Sequence, residues 1–241
     1  MKKFFVLILS LITLLTCVFF ATACGESEEK ELCSSHLILE TNPKGTGYRV
    51  KGITCDCSIV EIPETYNELP VVEIGTQAFR DNDTIKAIII PSTVTKILQS
   101  AFENCTKLEK VSFKGNGTLK QVGKTAFKGC VNLKEINLPS NVSTLQYGAF
   151  MGCASLEEIV LPSSLKSVSQ FAFSDNTSLK KVTLPKSLKD IQYYAFNGCV
   201  NLTTIIYPSS LEAWGKVSLL DLWNNKVPAT TVICQEIADI A

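Results

Sequence analysis

The stretch Leu133-Lys134-Glu135-Ile136-Asn137-Leu138-Pro139-Ser140-Asn141-Val142-Ser143-Thr144-Leu145-Gln146-Tyr147-Gly148-Ala149-Phe150-Met151-Gly152-Cys153 decides the architecture, because the chain repeats it. Its Ala-Phe pair recurs with phenylalanines at 79, 102, 127, 150, 173 and 196, at intervals of 23, 25, 23, 23 and 23 residues. A fixed period of this length marks a solenoid, in which stacked copies of one short unit bury a continuous core and leave one face free. That is the architecture of a binding surface and seldom that of an enzyme pocket.

Aligned on the Ala-Phe pair, the copies share the unit L-x-x-I-x-L-P-x-x-V-x-x-I-x-x-x-A-F-x-x-C/N. The next copy follows it with Leu156, Ile159, Leu161, Pro162, Leu165, Val168, Ala172, Phe173 and Asn176. The copy after that carries Leu179, Val182, Leu184, Pro185, Leu188, Ile191, Ala195, Phe196 and Cys199. The longer interval has a local cause: Lys114-Gly115-Asn116-Gly117 replaces the Pro-containing turn. Glycine at a turn tip tolerates the insertion.

Alternation through I-x-L puts Ile136 and Leu138 on one face of a short strand and Glu135 and Asn137 on the other. Proline directly afterwards has no N–H to give a ladder, so the strand stops and the chain turns. One such strand per repeat makes a parallel sheet. Stacked about 4.8 Å apart, its free-face positions become columns. One column reads Ala87, Lys110, Glu135, Glu158, Lys181, Thr204, a Glu pair flanked by Lys on both sides. A second reads Ile89, Ser112, Asn137, Val160, Thr183, Ile206, small and weakly polar. A third, Lys86, Glu109, Lys134, Glu157, Lys180, Thr203, alternates in sign and helps to set register. The candidate ligand-binding residues are therefore Lys110, Ser112, Glu135, Asn137, Glu158, Val160, Lys181 and Thr183. The simpler reading of the charged ones is mutual pairing between neighbouring rungs, each pair contributing under about 1 kcal/mol.

These recurring residues resemble the BspA-type leucine-rich repeats, a 23-residue variety found on surfaces of bacteria and some protists. The resemblance covers roughly residues 57 to 211. Ile62-Pro63-Glu64-Thr65-Tyr66-Asn67-Glu68-Leu69-Pro70-Val71-Val72 is similar to the family's lead-in, and Trp214, Trp223 and Val232-Ile233-Cys234 to its C-terminal cap. It implies a leucine-rich repeat solenoid, a right-handed curved stack of β and irregular coil with one short parallel strand per repeat and a cap at each end. It also implies a protein-binding role in adhesion to host or neighbouring-cell macromolecules. The alternative is a structural or self-associating envelope component without an external ligand.

Lys2-Lys3, the apolar run from Phe4 to Phe20 and the small residues Ala21-Thr22-Ala23 before Cys24 read as an export signal. The cysteine after small residues is similar to a bacterial lipoprotein cleavage site, with Ala21 where leucine is usual, and makes Cys24 the lipidated first residue. An uncleaved membrane helix is the other reading of this segment, just short of spanning length. Several acyl chains hold a protein stably to a bilayer. The expected organisation is a signal peptide over 1–23, a lipidated tether over 24–35, an N-terminal cap with a degenerate first repeat over 36–78, repeats over 79–211 and a C-terminal cap over 212–241. The protein is then expected at the extracellular face of the membrane or outer surface, lipid-anchored.

The chain has 23 Lys and Arg against 23 Asp and Glu, and two of the lysines fall in the removable segment. A nucleic-acid partner calls for a basic excess that is missing here. The chain carries no phosphate-cradling G-x-x-x-x-G-K-[ST] loop and no G-x-G-x-x-G fingerprint. A nucleophile–histidine pair would have to use His36, the single histidine, which lies far along the chain from the repeats. The expectation is a non-enzyme with no cofactor.

Of ten cysteines, Cys105, Cys130, Cys153 and Cys199 share one slot three residues after the repeat phenylalanine, and Asn82 and Asn176 fill it in sister copies. A slot that takes Cys or Asn is a small inward side chain that packs or bonds turn backbone. Stacked cysteines also point the same way, which is poor bridging geometry. Cys33, Cys55 and Cys57 lie outside the slot. One bridge from Cys33 to Cys55 is expected, and the sharper alternative is a metal site of Cys55, Cys57 and His36, for which C-x-C beside one His is a weak spacing signal.

Overall fold

The computed structural model describes residues 32–115, 117–228 and 230–235. The apolar amino-terminal run and Cys24 lie outside the described residues, and so does most of the segment read as a tether.

Each repeat lays down a short strand: Ile59–Glu61, Ala87–Ile90, Lys110–Phe113, Glu135–Ile136, Glu158–Val160, Lys181–Thr183 and Thr204–Tyr207. Neighbouring strands pair in parallel in the register of the sequence columns, with Ala87 beside Lys110, Lys110 beside Glu135, and Glu158 beside Lys181. Each repeat also adds a second, two-residue strand: Lys96–Ile97, Gln121–Val122, Thr144–Leu145, Ser167–Val168 and Asp190–Ile191. These form a second parallel ladder, because the V-x-x-I half of the unit presents its own inward apolar residue at Ile97, Val122, Leu145, Val168 and Ile191.

Between the second strand and the next rung runs the Ala-Phe coil, the spine of the stack. Phe79, Phe102, Phe127, Phe150, Phe173 and Phe196 are all fully buried. Their rings lie parallel, with centroids 5.1, 5.0, 5.1, 5.5 and 5.5 Å apart in turn. Each phenylalanine N–H except that of Phe196 donates to the alanine carbonyl one coil on, as Phe127 does to Ala149 and Phe150 to Ala172, both at 2.8 Å. The pair is flanked by left-handed residues in every copy. Two residues after the phenylalanine come Asp81, Asn104, Gly129, Gly152, Asp175 and Gly198, all at positive φ, a set that such a conformation selects. At Gly198 (φ +74) a Cβ would lie 2.4 Å from Asp175 Oδ1, so space as well as conformation demands glycine.

The cysteine slot ties coil to coil. Cys105, Cys130, Cys153 and Cys199 are unbridged and buried, and their thiols donate to the carbonyls of Phe79, Phe102, Phe127 and Phe173 at 2.9 to 3.3 Å. Where asparagine replaces cysteine the amide bonds backbone: Asn82 Oδ1 accepts from Ile85 N–H at 2.9 Å and Asn176 Oδ1 from Cys153 N–H at 2.8 Å. Asn176 Nδ2 is buried with no partner.

At the amino-terminal end, Leu37–Thr41 pairs antiparallel with Tyr48–Ile53, which joins the second ladder beside Leu69–Ile74. Asn67 and Glu68, both at positive φ, make the two-residue turn between Thr65–Tyr66 and Leu69–Ile74, the conformation that suits a tight hairpin. Arg49 donates twice to Glu73 Oε2, at 2.9 and 2.6 Å. Leu32–Cys33, at the end of the stretch read as a tether, pairs with Ile59–Glu61. The expected Cys33–Cys55 bridge is not formed: Cys55 is bonded to Cys57, whose Cα lies 5.4 Å away. The chain bends at Thr54 and Cys55, so the two Cα atoms lie closer than the roughly 6.6 Å of two extended residues, and this local proximity favours the pairing.

At the other end Leu211, Trp214, Val217, Leu219, Leu220, Leu222 and Trp223 are apolar at near-helical spacing, yet only Leu211–Trp214 forms a helix. The chain instead extends both ladders, with Ser218–Leu219 beside Asp190–Ile191 and Thr231–Cys234 beside Thr204–Tyr207. Trp223 meets the last phenylalanine edge-on at 6.1 Å, and its carbonyl accepts from Phe196 N–H.

Candidate functional site: a parted rung on the strand face

The first ladder is not continuous. One sheet ends at Glu135–Ile136 and another begins at Glu158–Val160. The second ladder ends at the same coil, at Thr144–Leu145, and resumes at Ser167–Val168. The spine does not part there, since Gly148, Phe150 and Gly152 N–H groups bond Gln170, Ala172 and Ser174 carbonyls at 3.0, 2.8 and 2.8 Å.

The charge columns divide at this place: Lys134 and Glu157 across the break are opposite in sign, whereas Glu135 and Glu158 are alike. Glu109 accepts from Lys134 at 2.9 Å and Lys110 donates to Glu135 at 2.8 Å on one side. On the other, Lys180 reaches Glu157 and Lys181 reaches Glu158, both at 2.8 Å. Every one of these pairs points away from the break. Across it, Glu135 faces the rung of Glu158, the one like-charged neighbour pair in its column, and like charges placed opposite destabilise strand pairing. Lys134 holds the Glu109 carboxyl below the ordinary carboxylate range through its hydrogen bond and charge.

The parted strands bound a groove of about 730 Å³ lined by Lys134, Glu135, Asn137, Glu157, Glu158 and Val160, among others. Asn137 Nδ2 lies 3.5 Å from Glu135 Oε1. Val160 is 65% exposed, an apolar side chain held out on the strand face. Of the sequence-derived candidates, Glu135, Asn137, Glu158 and Val160 thus come together at the groove. Lys110, Ser112, Lys181 and Thr183 sit on the flanking rungs and do not line it. The groove also recruits Lys134 and Glu157, which sequence reasoning assigned to register alone. The signal that could have found them was the adjacent Glu135 and Glu158, read as a place where the ladder fails.

Elsewhere, Tyr147, Phe171 and Tyr194 stack in sequence on a flank of the same repeats, at 5.5 and 5.1 Å between centroids. Phe171 and Tyr194 occupy the position two residues before the spine phenylalanine, which is left-handed in every copy. Lys124 lies over the Tyr147 ring.

A family model described as the BspA type leucine-rich repeat region matches residues 54–145 and 112–221, in six copies. Among solved structures, the T. pallidum leucine-rich repeat protein superposes with a TM-score of 0.70 at 30% identity, over 79% of this chain and 86% of its own. A leucine-rich cell surface protein from Faecalibacterium prausnitzii gives 0.70 at 27%, over 85% of this chain and 54% of its own. A leucine-rich repeat protein from Bacteroides ovatus gives 0.67 at 28%, over 82% and 57%. The chain therefore spans little more than half the length of the last two. No curated protein matches it. With the family model matched in six copies between residues 54 and 221 and a relative 30% identical over 79% of the chain, the chain belongs to the BspA-type leucine-rich repeat family.

Proposed function

We propose that the protein is a cell-surface lipoprotein whose solenoid binds a protein or other macromolecule of a host or neighbouring cell, with the parted rung at Glu135 and Glu158 as the contact. Leucine-rich repeat proteins in general are non-enzymatic scaffolds that bind proteins. The single observation carrying the choice of site is the groove at the break, where a solvent-held valine, an amide and three carboxylates converge on a rigid spine. Edge strands with free backbone groups and alternating side-chain pockets are a recurrent way of taking up an extended segment. Surface exposure is supported by the relative from Faecalibacterium prausnitzii, itself described as a leucine-rich cell surface protein. Attachment through acylated Cys24 rests on the amino-terminal sequence.

A double variant Glu135→Lys, Glu158→Lys tests the site. It reverses the charge of the groove, so adhesion of cells displaying the protein should be lost while its melting temperature stays within a few degrees. Unchanged adhesion moves the contact off this groove. Binding only to further copies of itself makes the protein a self-associating envelope component.

A further inference from the structure

The amino-terminal cap brings together His36, Cys55 and Cys57, the last of them buried in the core. The hairpin of Leu37–Thr41 with Tyr48–Ile53 pairs Leu37 with Ile53, so His36 and the segment starting at Thr54 leave it side by side. Thr54 then donates twice to the His36 carbonyl, from N–H at 3.0 Å and from Oγ1 at 3.3 Å. This anchors the histidine next to Cys55-Asp56-Cys57. One ligand atom each from His36, Cys55 and Cys57 lies within 4.8 Å of the other two. Ser35 Oγ is 3.3 Å from His36 Nδ1, the kind of outer contact that orients a metal-binding imidazole through its second nitrogen.

The geometry points to a redox-gated metal site in this cap, formed by His36 with the thiolates of Cys55 and Cys57 and suited to a thiophilic cation of the zinc class. Two thiolates and an imidazole make three corners of a tetrahedron, whose ligand atoms stand about 3.6 Å apart for bonds of ~2.0 to 2.3 Å. Reduction lets the two sulfurs part from bonding distance to that spacing, and the imidazole has to close on them from within 4.8 Å. His36 is exposed, Cys55 half-buried and Cys57 buried, so the open corner faces solvent and takes a water.

In the structure the two sulfurs are bonded to each other, and that state cannot serve as the ligand set. A dithiol donor opens the bridge by exchange: its two thiols become its own disulfide, and Cys55 and Cys57 each gain a proton. The cation then displaces both thiol protons as it binds. A disulfide oxidant reverses the exchange: it takes up two electrons and two protons to become two thiols, the Cys55–Cys57 bond re-forms and the cation is released. The site is independent of the strand-face groove.

Cobalt(II) is the probe, because its thiolate charge-transfer absorption reports sulfur ligation directly. The full chain carrying C17S, C24S and C33S, which removes the other amino-terminal thiols, is reduced with dithiothreitol, freed of reductant under anaerobic conditions and titrated. The expected result is one cobalt per reduced chain, displaced by zinc, and none per oxidised chain. H36A should weaken binding about tenfold or more, since even an outer partner of a metal ligand commands 10 to 100-fold. C55S/C57S should abolish the absorption. His36 touches the fold through its backbone carbonyl, so H36A keeps the parent circular dichroism and decides the matter even if the double variant misfolds. A reduced chain that takes up no cobalt, or an H36A chain that binds as the parent does, overturns the proposal.

Discussion

The two sides of this solenoid treat the same junction differently. On the spine side, the coil carrying Phe150 passes to the coil carrying Phe173 with rings stacked and backbone bonds at 2.8 Å. On the strand side, the same pair of coils has lost its ladder. The spine is buried, aromatic and uncharged, and its contacts resemble one another from coil to coil. The strand face is solvated, and its neighbours interact through exposed charges whose sign varies. A solenoid held by its spine can afford a gap in its sheet, and the gap opens where the charge pattern fails.

Removing the spine is the most severe way to break this comparison. Phe150→Ala should cost about 3 to 5 kcal/mol, the loss of a buried aromatic together with the cavity it leaves, read as a shift in the denaturant midpoint. Phe79→Ala, at the end of the stack, should fray the first repeat locally because each repeat touches only its neighbours. Hydrogen exchange would show protection lost around residues 77–85 and kept around Phe150. Equal global melting of both variants and the parent would refute the spine.

Asn176 sharpens the comparison within one coil. Its carbonyl oxygen is the acceptor for Cys153 N–H across the junction where the sheets part. Asn176→Ala strands that buried donor and should destabilise the protein by about 1 to 3 kcal/mol. A neutral result in equilibrium unfolding would mean that the spine does not need this stitch.

The strand side should respond weakly. Glu135→Gln with Glu158→Gln removes the facing like charges and weakens the exposed pairs with Lys110 and Lys181, so stability should move by less than about 1 kcal/mol in either direction. Protection of the backbone amides of residues 157–160 should rise if repulsion holds the rung apart. A loss of several kcal/mol would show that the charges, not the spine, hold the two halves together.

The smallest effect is expected of the cysteine column. Burial pushes the Cys199 thiol up to about 12 and raises the Cys130 and Cys153 thiols well above their ordinary value. A raised thiol keeps its proton until the pH passes its new value, so between pH 8 and 9, where an ordinary thiol near ~8.5 forms thiolate, these stay unreactive. Native protein treated with iodoacetamide should show no label at Cys130, Cys153 or Cys199 by mass spectrometry, with full labelling after denaturation. Labelling of any of them in the native protein would place it near the surface.

Much of the fold is legible in the sequence because the constraint is local and repeated. Proline after L-x-x-I-x-L ends every repeat strand but Lys110–Phe113, and the interchange of Cys and Asn identifies an inward slot that bonds backbone. The candidate site is legible only in part. The columns place Glu135 beside Glu158, but a column listing assumes that the rungs stay paired. The second ladder is two residues long per repeat, too short for alternation to declare. At the ends the repeat no longer dictates the outcome: the helical spacing of 211–223 gives way because added strands cover the last rungs, and Cys55 pairs with Cys57, two residues on, because the chain bends between the cap hairpin and the first rung.

What the sequence alone determined is the stack itself: its period, its phenylalanine spine and the register of its strand-face columns. Identical units favour identical contacts, so one turn's chemistry specifies all of them. Only the tertiary structure decided where the sheets part, which side chains converge on the resulting groove, and which cap residues meet His36. Those outcomes depend on a balance between a buried spine and weak, solvent-screened charges summed across coils, which no single repeat contains.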